Sequence, residues 1–252
     1  MRGLNGKAGI IVGAGRGIGA ATARRFAEEG ASVVVGDYEG EWAESVAASI
    51  REGGGKAIGV RVDGTDPTSV AAIVRACLDE YDRLDFFCSN LAGGTEGDVD
   101  ALNCPLDVFD RSVAINARSH LIATQAALPA MLERGGGAFI YTSSGAASGG
   151  APWQVAYPMT KNAIHPLARH VAAKWGRKGI RANVICPGLV LTEAAMQHLT
   201  PEYLERGKAA TPHIRLGEPK DIAAAIVFLA SEDGEWINGQ VWHVNGGTQM
   251  RD

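Results

Sequence analysis

Cysteine is scarce in this chain: four in 252 residues, Cys77, Cys88, Cys104 and Cys186, with no C-x-x-C pair among them. That excludes a disulfide scaffold. Three of the four stand beside apolar neighbours, where cysteine serves as a small core residue, and the expected compartment is a reducing cytoplasm. The six histidines fall at no zinc-ligand spacing, so no metal is expected. Basic stripes are missing and the formal net charge is -4, which argues against a nucleic-acid surface. No apolar run reaches the ~18 residues of a membrane span. Residues 1–7 carry no apolar signal core behind their charges. There is also no linker, low-complexity tract or repeat of solenoid period, so a single domain is expected over residues 1–252.

The chain is rich in glycine, with 33 residues, and its 46% apolar content is enough for a large core. Short β-like runs alternate with longer helical ones. Strands are expected at 8–12, 32–36, 57–62, 84–88, 138–142, 180–185 and 240–244. Helices are expected at 17–29, 41–51, 67–81, roughly 106–132, 157–176 and 219–230. The strands are rich in Val and Ile on consecutive positions, as in strands buried on both faces. Alternation with helices implies right-handed crossovers and a seven-stranded, doubly wound parallel α/β sheet flanked by helices. Two stretches, 93–104 and 192–219, read as irregular. Both follow strand ends, where ligands bind in open α/β sheets.

The first strand runs into Val12-Gly13-Ala14-Gly15-Arg16-Gly17-Ile18-Gly19. A glycine-rich turn between strand and helix lets backbone N–H groups of Gly13, Arg16, Gly17, Ile18 and Gly19 approach a pyrophosphate. Asp37 closes the second strand, where a carboxylate can accept both hydroxyls of an adenosine ribose. A 2′-phosphate there would meet a like charge, so Asp37 favours NAD over NADP. Arg16 pulls mildly the other way, because a guanidinium pairs with phosphate. Asp63, followed by Gly64 at the end of the third strand, is positioned for the adenine amino group.

Tyr157 and Lys161 form Tyr-x-x-x-Lys, which on a helix puts both side chains on one face. A free tyrosine titrates near ~10, too high for a base at neutral pH, and a neighbouring ammonium lowers that value. Upstream, Ser143-Ser144-Gly145 ends a strand at the mouth of the sheet.

With the glycine turn, Ser144 and Tyr157-x-x-x-Lys161 in this order, the chain resembles the short-chain dehydrogenase/reductase family. The resemblance runs from Lys7 to Gly247. Val113-Ala114-Ile115-Asn116 is similar to the family's asparagine helix. Arg181-Ala182-Asn183-Val184-Ile185-Cys186-Pro187-Gly188, followed by Thr192, is similar to its nicotinamide-side loop. Asn238-Gly239-Gln240 and Asn245-Gly246-Gly247 resemble its last strand.

The resemblance implies a Rossmann-like fold and roles residue by residue. Tyr157 would be the general acid/base, Ser144 would orient the substrate oxygen, and Lys161 would lower the tyrosine pKa and hold the nicotinamide ribose. Asn116 would hold a water in a proton relay. Asn90, Pro187 and Gly188 would line the cofactor, with Val190 and Thr192 positioning its carboxamide. Implied partners are NAD, a small-molecule secondary alcohol or ketone, and three further copies of the chain in a homotetramer, with no nucleic acid or membrane. Trp153, Met159, Leu191, Met196 and Leu199 are candidates for an apolar substrate pocket. Two alternatives remain: an NADPH-dependent 3-oxoacyl-thioester reductase, which would want a basic residue near Asp37, and a non-catalytic NAD-sensing regulator, which would lack part of the catalytic group.

Two departures from the family stand out. Val12 replaces a threonine, and Ser89-Asn90-Leu91-Ala92 stands for Asn-Asn-Ala-Gly. Loss of both partners of a buried hydrogen bond is nearly neutral, so this is expected to alter a structural link only. Pro158 follows Tyr157 directly, so the helix is expected either to start there or to bend there.

Overall fold

Short runs of β-branched and aromatic residues form seven strands: β1 (Ala8–Val12), β2 (Ser32–Asp37), β3 (Lys56–Arg61), β4 (Phe86–Ser89), β5 (Gly137–Thr142), β6 (Ile180–Pro187) and β7 (Val241–Val244). The computed structural model describes residues 1–197 and 199–250. All strand pairs are parallel, in the order β3-β2-β1-β4-β5-β6-β7. The first three strands step outward in one direction and β4 returns to the other side of β1. The crevice outside the strand ends at β1 and β4 is therefore the switch point at which such sheets bind ligands.

Among the described residues, ten α-helices cover the sheet or border its mouth: α1 (Gly17–Glu28), α2 (Gly40–Glu52), α3 (Pro67–Tyr81), α4 (Leu106–Val113), α5 (Ser119–Glu133), α6 (Ala156–Asn162), α7 (Ile164–Trp175), α8 (Glu193–Met196), α9 (Pro201–Ala210) and α10 (Pro219–Ala230). Successive strand residues point to opposite faces, and the core divides accordingly. Ile10, Val34 and Phe87 face α3, α5 and α7, meeting Ile73, Met131 and Val171. Ile11, Val33 and Phe86 face α1, α2 and α10, meeting Phe26, Val46 and Ile226. Phe26 and Phe86 stack with ring centres 4.0 Å apart.

One expectation holds with a refinement and two are corrected. The helical run over 106–132 is two helices joined by a π turn, Ala114–Arg118, which holds Asn116. The run over 157–176 is also two helices, meeting at Ala163. Pro166, just beyond, has no N–H to continue the first ladder. The segment 192–219 is not irregular, because α8 and α9 lie within it. Each starts at a threonine: Thr192 accepts from the Ala195 N–H and Thr200 from the Tyr203 N–H. These N-caps, and Pro201 in a first turn, are legible signals. Neither helix buries a residue, so no apolar periodicity accompanied them.

Pro158 proves compatible with its helix. It lies in the first turn of α6, where no N–H is needed for the ladder. The β1–β4 link is altered only in part. Val12 pairs with Ser89, and the Asn90 N–H donates to the Val12 carbonyl at 3.1 Å. The Ser89 hydroxyl, however, is buried without a hydrogen-bond partner. A buried hydroxyl left without a partner is the costly case.

Candidate active site

The glycine turn needs its glycines. Gly13 and Gly17 have φ of +70° and +57°, the left-handed region that side chains disfavour. A Cβ on Gly19 would stand 2.1 Å from the Gly13 carbonyl oxygen, so α1 meets the turn at backbone contact. Arg16 occupies the N-cap of α1 without a side-chain hydrogen bond, and the first N–H groups of the helix are open to an anion.

Asp37 faces this turn from the end of β2. Its Oδ2 accepts from the Gly15 N–H at 2.8 Å and its Oδ1 from the Glu39 N–H at 3.1 Å. The Arg16 guanidinium lies 4.5 Å over the Trp42 ring, and Arg61 lies 5.0 Å over Tyr38. Asn90 crosses the switch point, donating from Nδ2 to the Gly13 carbonyl at 3.1 Å.

Gly13, Arg16, Gly17, Asp37, Trp42 and Asn90 line a cleft of about 640 Å³ that runs to Ser144, Tyr157 and Lys161 and is closed by Pro187, Gly188, Val190 and Thr192. Gly17 and Thr192 face each other across it, since a Cβ on the glycine would lie 3.2 Å from the threonine methyl. A mouth with bare helix N–H groups, backbone-tight glycines and a carboxylate at the second strand end fits a dinucleotide. Gly19 lies beneath the surface of the cleft rather than on it. Asp63, Gly64 and Asn116 do not line it either. The Asp63 Oδ1 accepts from the Thr65 N–H and hydroxyl at 2.9 and 2.7 Å, which holds its carboxyl below the usual range.

A second cavity, of about 750 Å³ and mainly apolar, adjoins the first. The two share Ser144, Tyr157, Pro187, Gly188 and Leu189. Ser144 and Tyr157 therefore stand where the contents of the two spaces would meet. Of the five apolar residues expected in a substrate pocket, Trp153 lines this cavity; Met159, Leu191, Met196 and Leu199 do not. Leu189 and Tyr203 do and were missed, Tyr203 because its helix was not anticipated.

Lys161 is buried at 1% exposure. Its Nζ donates to the Leu91 and Thr142 carbonyls at 2.7 and 3.0 Å and lies 5.9 Å from the centre of the Tyr157 ring. Burial pushes its pKa down to about 7. Burial also raises the Tyr157 phenol above its ordinary value, opposed by a hydrogen bond with Ser144. Beneath the pair, Ser143 Oγ donates to the Lys161 carbonyl at 2.9 Å and lies 3.0 Å from His165 Nε2. Burial pushes His165 down to about 4, so the ring is neutral at neutral pH.

The side chain of Asn116 is consumed by structure. Its Oδ1 accepts from the Gly93 N–H at 3.2 Å, and its Nδ2 donates to the Gly93 and Ser112 carbonyls at 2.8 and 3.1 Å. A water beside it would have to be held by the main chain of the π turn, a feature often found at functional sites. Arg181, Asn183 and Asn238 serve the sheet. Asn183, for instance, donates to the Ile237 carbonyl and accepts from the Gln240 N–H at 2.8 and 3.0 Å, guiding β7 onto β6.

Among the described residues no helix is long and apolar enough to cross a membrane, and no group of three or more His, Cys, Asp or Glu side chains can hold a metal ion.

Comparison with known proteins agrees with this architecture. A family model described as enoyl-(acyl carrier protein) reductase matches residues 13–249. The 7alpha-hydroxysteroid dehydrogenase of Escherichia coli K12 is 36% identical over 244 residues, covering 97% of this chain and 94% of that protein. The 2,5-dichloro-2,5-cyclohexadiene-1,4-diol dehydrogenase LinX of Sphingobium indicum is 33% identical, covering 97% and 96%. A solved 7 alpha-hydroxysteroid dehydrogenase complexed with NADH and 7-oxo glycochenodeoxycholic acid superposes with a TM-score of 0.92 at 36% identity, covering 97% and 94%. The chain belongs to the short-chain dehydrogenase/reductase family and is an oxidoreductase acting on CH–OH groups.

Proposed function

We propose that the chain is an NAD(H)-dependent dehydrogenase that interconverts a secondary alcohol and a ketone on a large, mainly apolar substrate of the hydroxysteroid kind. The observation that carries this reading is the junction at Ser144 and Tyr157 of a dinucleotide-sized cleft with an apolar cavity of about 750 Å³. The cleft residues Gly17, Asp37 and Lys161 would hold a nicotinamide dinucleotide, and the chemistry it would supply when bound is hydride transfer. Ser144 donates a hydrogen bond to the ketone oxygen and orients it. Tyr157, whose raised pKa keeps its proton at neutral pH, delivers that proton as the alcohol forms. Lys161 anchors the site through the Leu91 and Thr142 carbonyls and reaches a ribose with its remaining hydrogen. Asp37, already oriented by two backbone N–H groups, receives the ribose diol and repels a 2′-phosphate, which supports NAD over NADP.

The cavity also has one charged lining residue among the described residues, Arg206 on α9. An acidic substituent at the far end of the substrate would pair with it. The same reading includes a homotetramer. Leu106 and Trp236, 79% and 98% exposed, are apolar side chains that subunit contacts would cover.

The test is NADH oxidation with 7-oxo glycochenodeoxycholic acid and its methyl ester, followed by absorbance. Both should turn over, and Arg206→Ala should raise KM for the acid roughly 10-fold, the scale of one charge-assisted hydrogen bond, and leave the ester unchanged. Turnover of small ketones alone, with neither steroid accepted, would contradict the substrate class. Equal effects on acid and ester would remove Arg206 from it.

A further inference from the structure

The helix that carries Tyr157 has no cap of its own. The N-cap of α6, Val155, makes no side-chain hydrogen bond. The first N–H groups of any helix lack intrahelical partners, and Pro158 has none to offer. The groups left to satisfy are the N–H of Val155, Ala156 and Tyr157. One carboxylate takes all three: Asp98 Oδ1 accepts from Val155 at 3.0 Å and Ala156 at 2.9 Å, and Asp98 Oδ2 accepts from Tyr157 at 2.8 Å.

Asp98 comes from the segment 93–104 beyond β4, which contains no helix or strand. That segment is fastened at two further points. Gly93 exchanges two hydrogen bonds with the Asn116 side chain, at 3.2 and 2.8 Å. The Glu96 carbonyl accepts from Arg111 Nη2 at 2.7 Å. The segment is thus a strap, tied at one end to the π turn of Asn116 and at the other to the first turn of α6.

We propose that Asp98 is a positioning residue for Tyr157, holding its main chain so that the phenol stays aligned with Ser144 at the junction of the two cavities. It lines neither the dinucleotide cleft nor the apolar cavity. Its effect on the reaction runs through the place of one proton donor, for which a displacement of ~1 Å costs on the order of 10² in rate. The hydrogen bonds of the three N–H groups also keep the carboxyl ionised, below its usual range, against the cost of burial. The proposal rests on Tyr157 being the proton donor.

Asp98→Asn is the informative substitution. The amide oxygen can still serve Val155 and Ala156, but the amide NH2 then faces the Tyr157 N–H. We expect kcat for ketone reduction to fall roughly 10- to 100-fold, with the NADH dissociation constant within about twofold and a larger primary isotope effect with 4-deuterated NADH. Amide hydrogen exchange should rise in peptides covering residues 155–160 and stay unchanged in α7. Asp98→Ala should do the same more strongly. If it fails to fold, Asp98→Asn alone decides. Unchanged exchange in Asp98→Asn overturns the clamp, whatever substrate is used. Raised exchange with unchanged kcat shows a structural cap only and overturns the positioning role. Failure of Tyr157 itself as donor would be seen separately, in Tyr157→Phe.

Discussion

The two walls of the site are built on different terms. The dinucleotide wall is made of β1, the glycine turn, α1 and the end of β2. It is backbone against backbone, with Ile11, Ala14 and Phe26 fully buried behind it. The substrate wall is made of Trp153, Leu189 and the helix α9, which buries none of its residues. Tyr203 and Trp153 there are 45% and 59% exposed. A wall of main-chain contacts tolerates one residue type at each critical place. A wall of exposed side chains on a capped, weakly packed helix can change its chemistry without cost to the sheet. Local stability follows buried contacts, so α9 is also the element expected to move when a substrate enters.

The difference can be broken or sharpened by substitution. The largest effect is expected at Gly19→Ala, whose new Cβ would press on the Gly13 carbonyl oxygen from 2.1 Å. NADH affinity, read by fluorescence titration, should fall roughly 100-fold as the turn and helix separate. Retained affinity would mean that the wall is softer than its contacts imply. Next comes Asp37→Ala. The unmodified enzyme should prefer NADH over NADPH by at least ~10-fold in kcat/KM, and the substitution should shrink that ratio. Equal use of both cofactors by the unmodified enzyme would end the assignment of Asp37 to the ribose diol. The smallest effect lies behind the dinucleotide wall. Val12→Thr would give the orphaned Ser89 hydroxyl a partner across β1 and β4. It should raise stability by about 1 kcal/mol in urea unfolding, and a loss of stability would show that Ser89 is satisfied in another way.

Legibility in the sequence followed the same division. Gly13, Gly17 and Gly19 could be read because a positive φ or a backbone contact admits only glycine, so the geometry leaves its mark on residue type. Tyr157 and Lys161 could be read because a helix spaces them onto one face, and Ser144 because a strand end exposes it. The helix α9 was missed because it buries nothing and shows no apolar period, although Thr200 and Pro201 announced its start. The break at Ala163 was missed because the apolar pattern runs through it. Asp98 left no signal at all. A carboxylate that serves N–H groups 57 to 59 positions away has no spacing to be recognised by. The setting of Lys161 was also beyond the sequence: its spacing from Tyr157 showed the pairing, but not the burial of the amine or the Leu91 and Thr142 carbonyls that accept from its Nζ.

The account stands on Tyr157 as the proton donor at the meeting of the two walls, and Tyr157→Phe tests that most directly because only the hydroxyl is lost. Measured with NADH and a ketone that the unmodified enzyme reduces well, kcat should fall by roughly 10² or more, the usual scale of general acid/base catalysis, while NADH binding stays intact. Turnover close to that of the unmodified enzyme would contradict the mechanism and place the proton donor elsewhere.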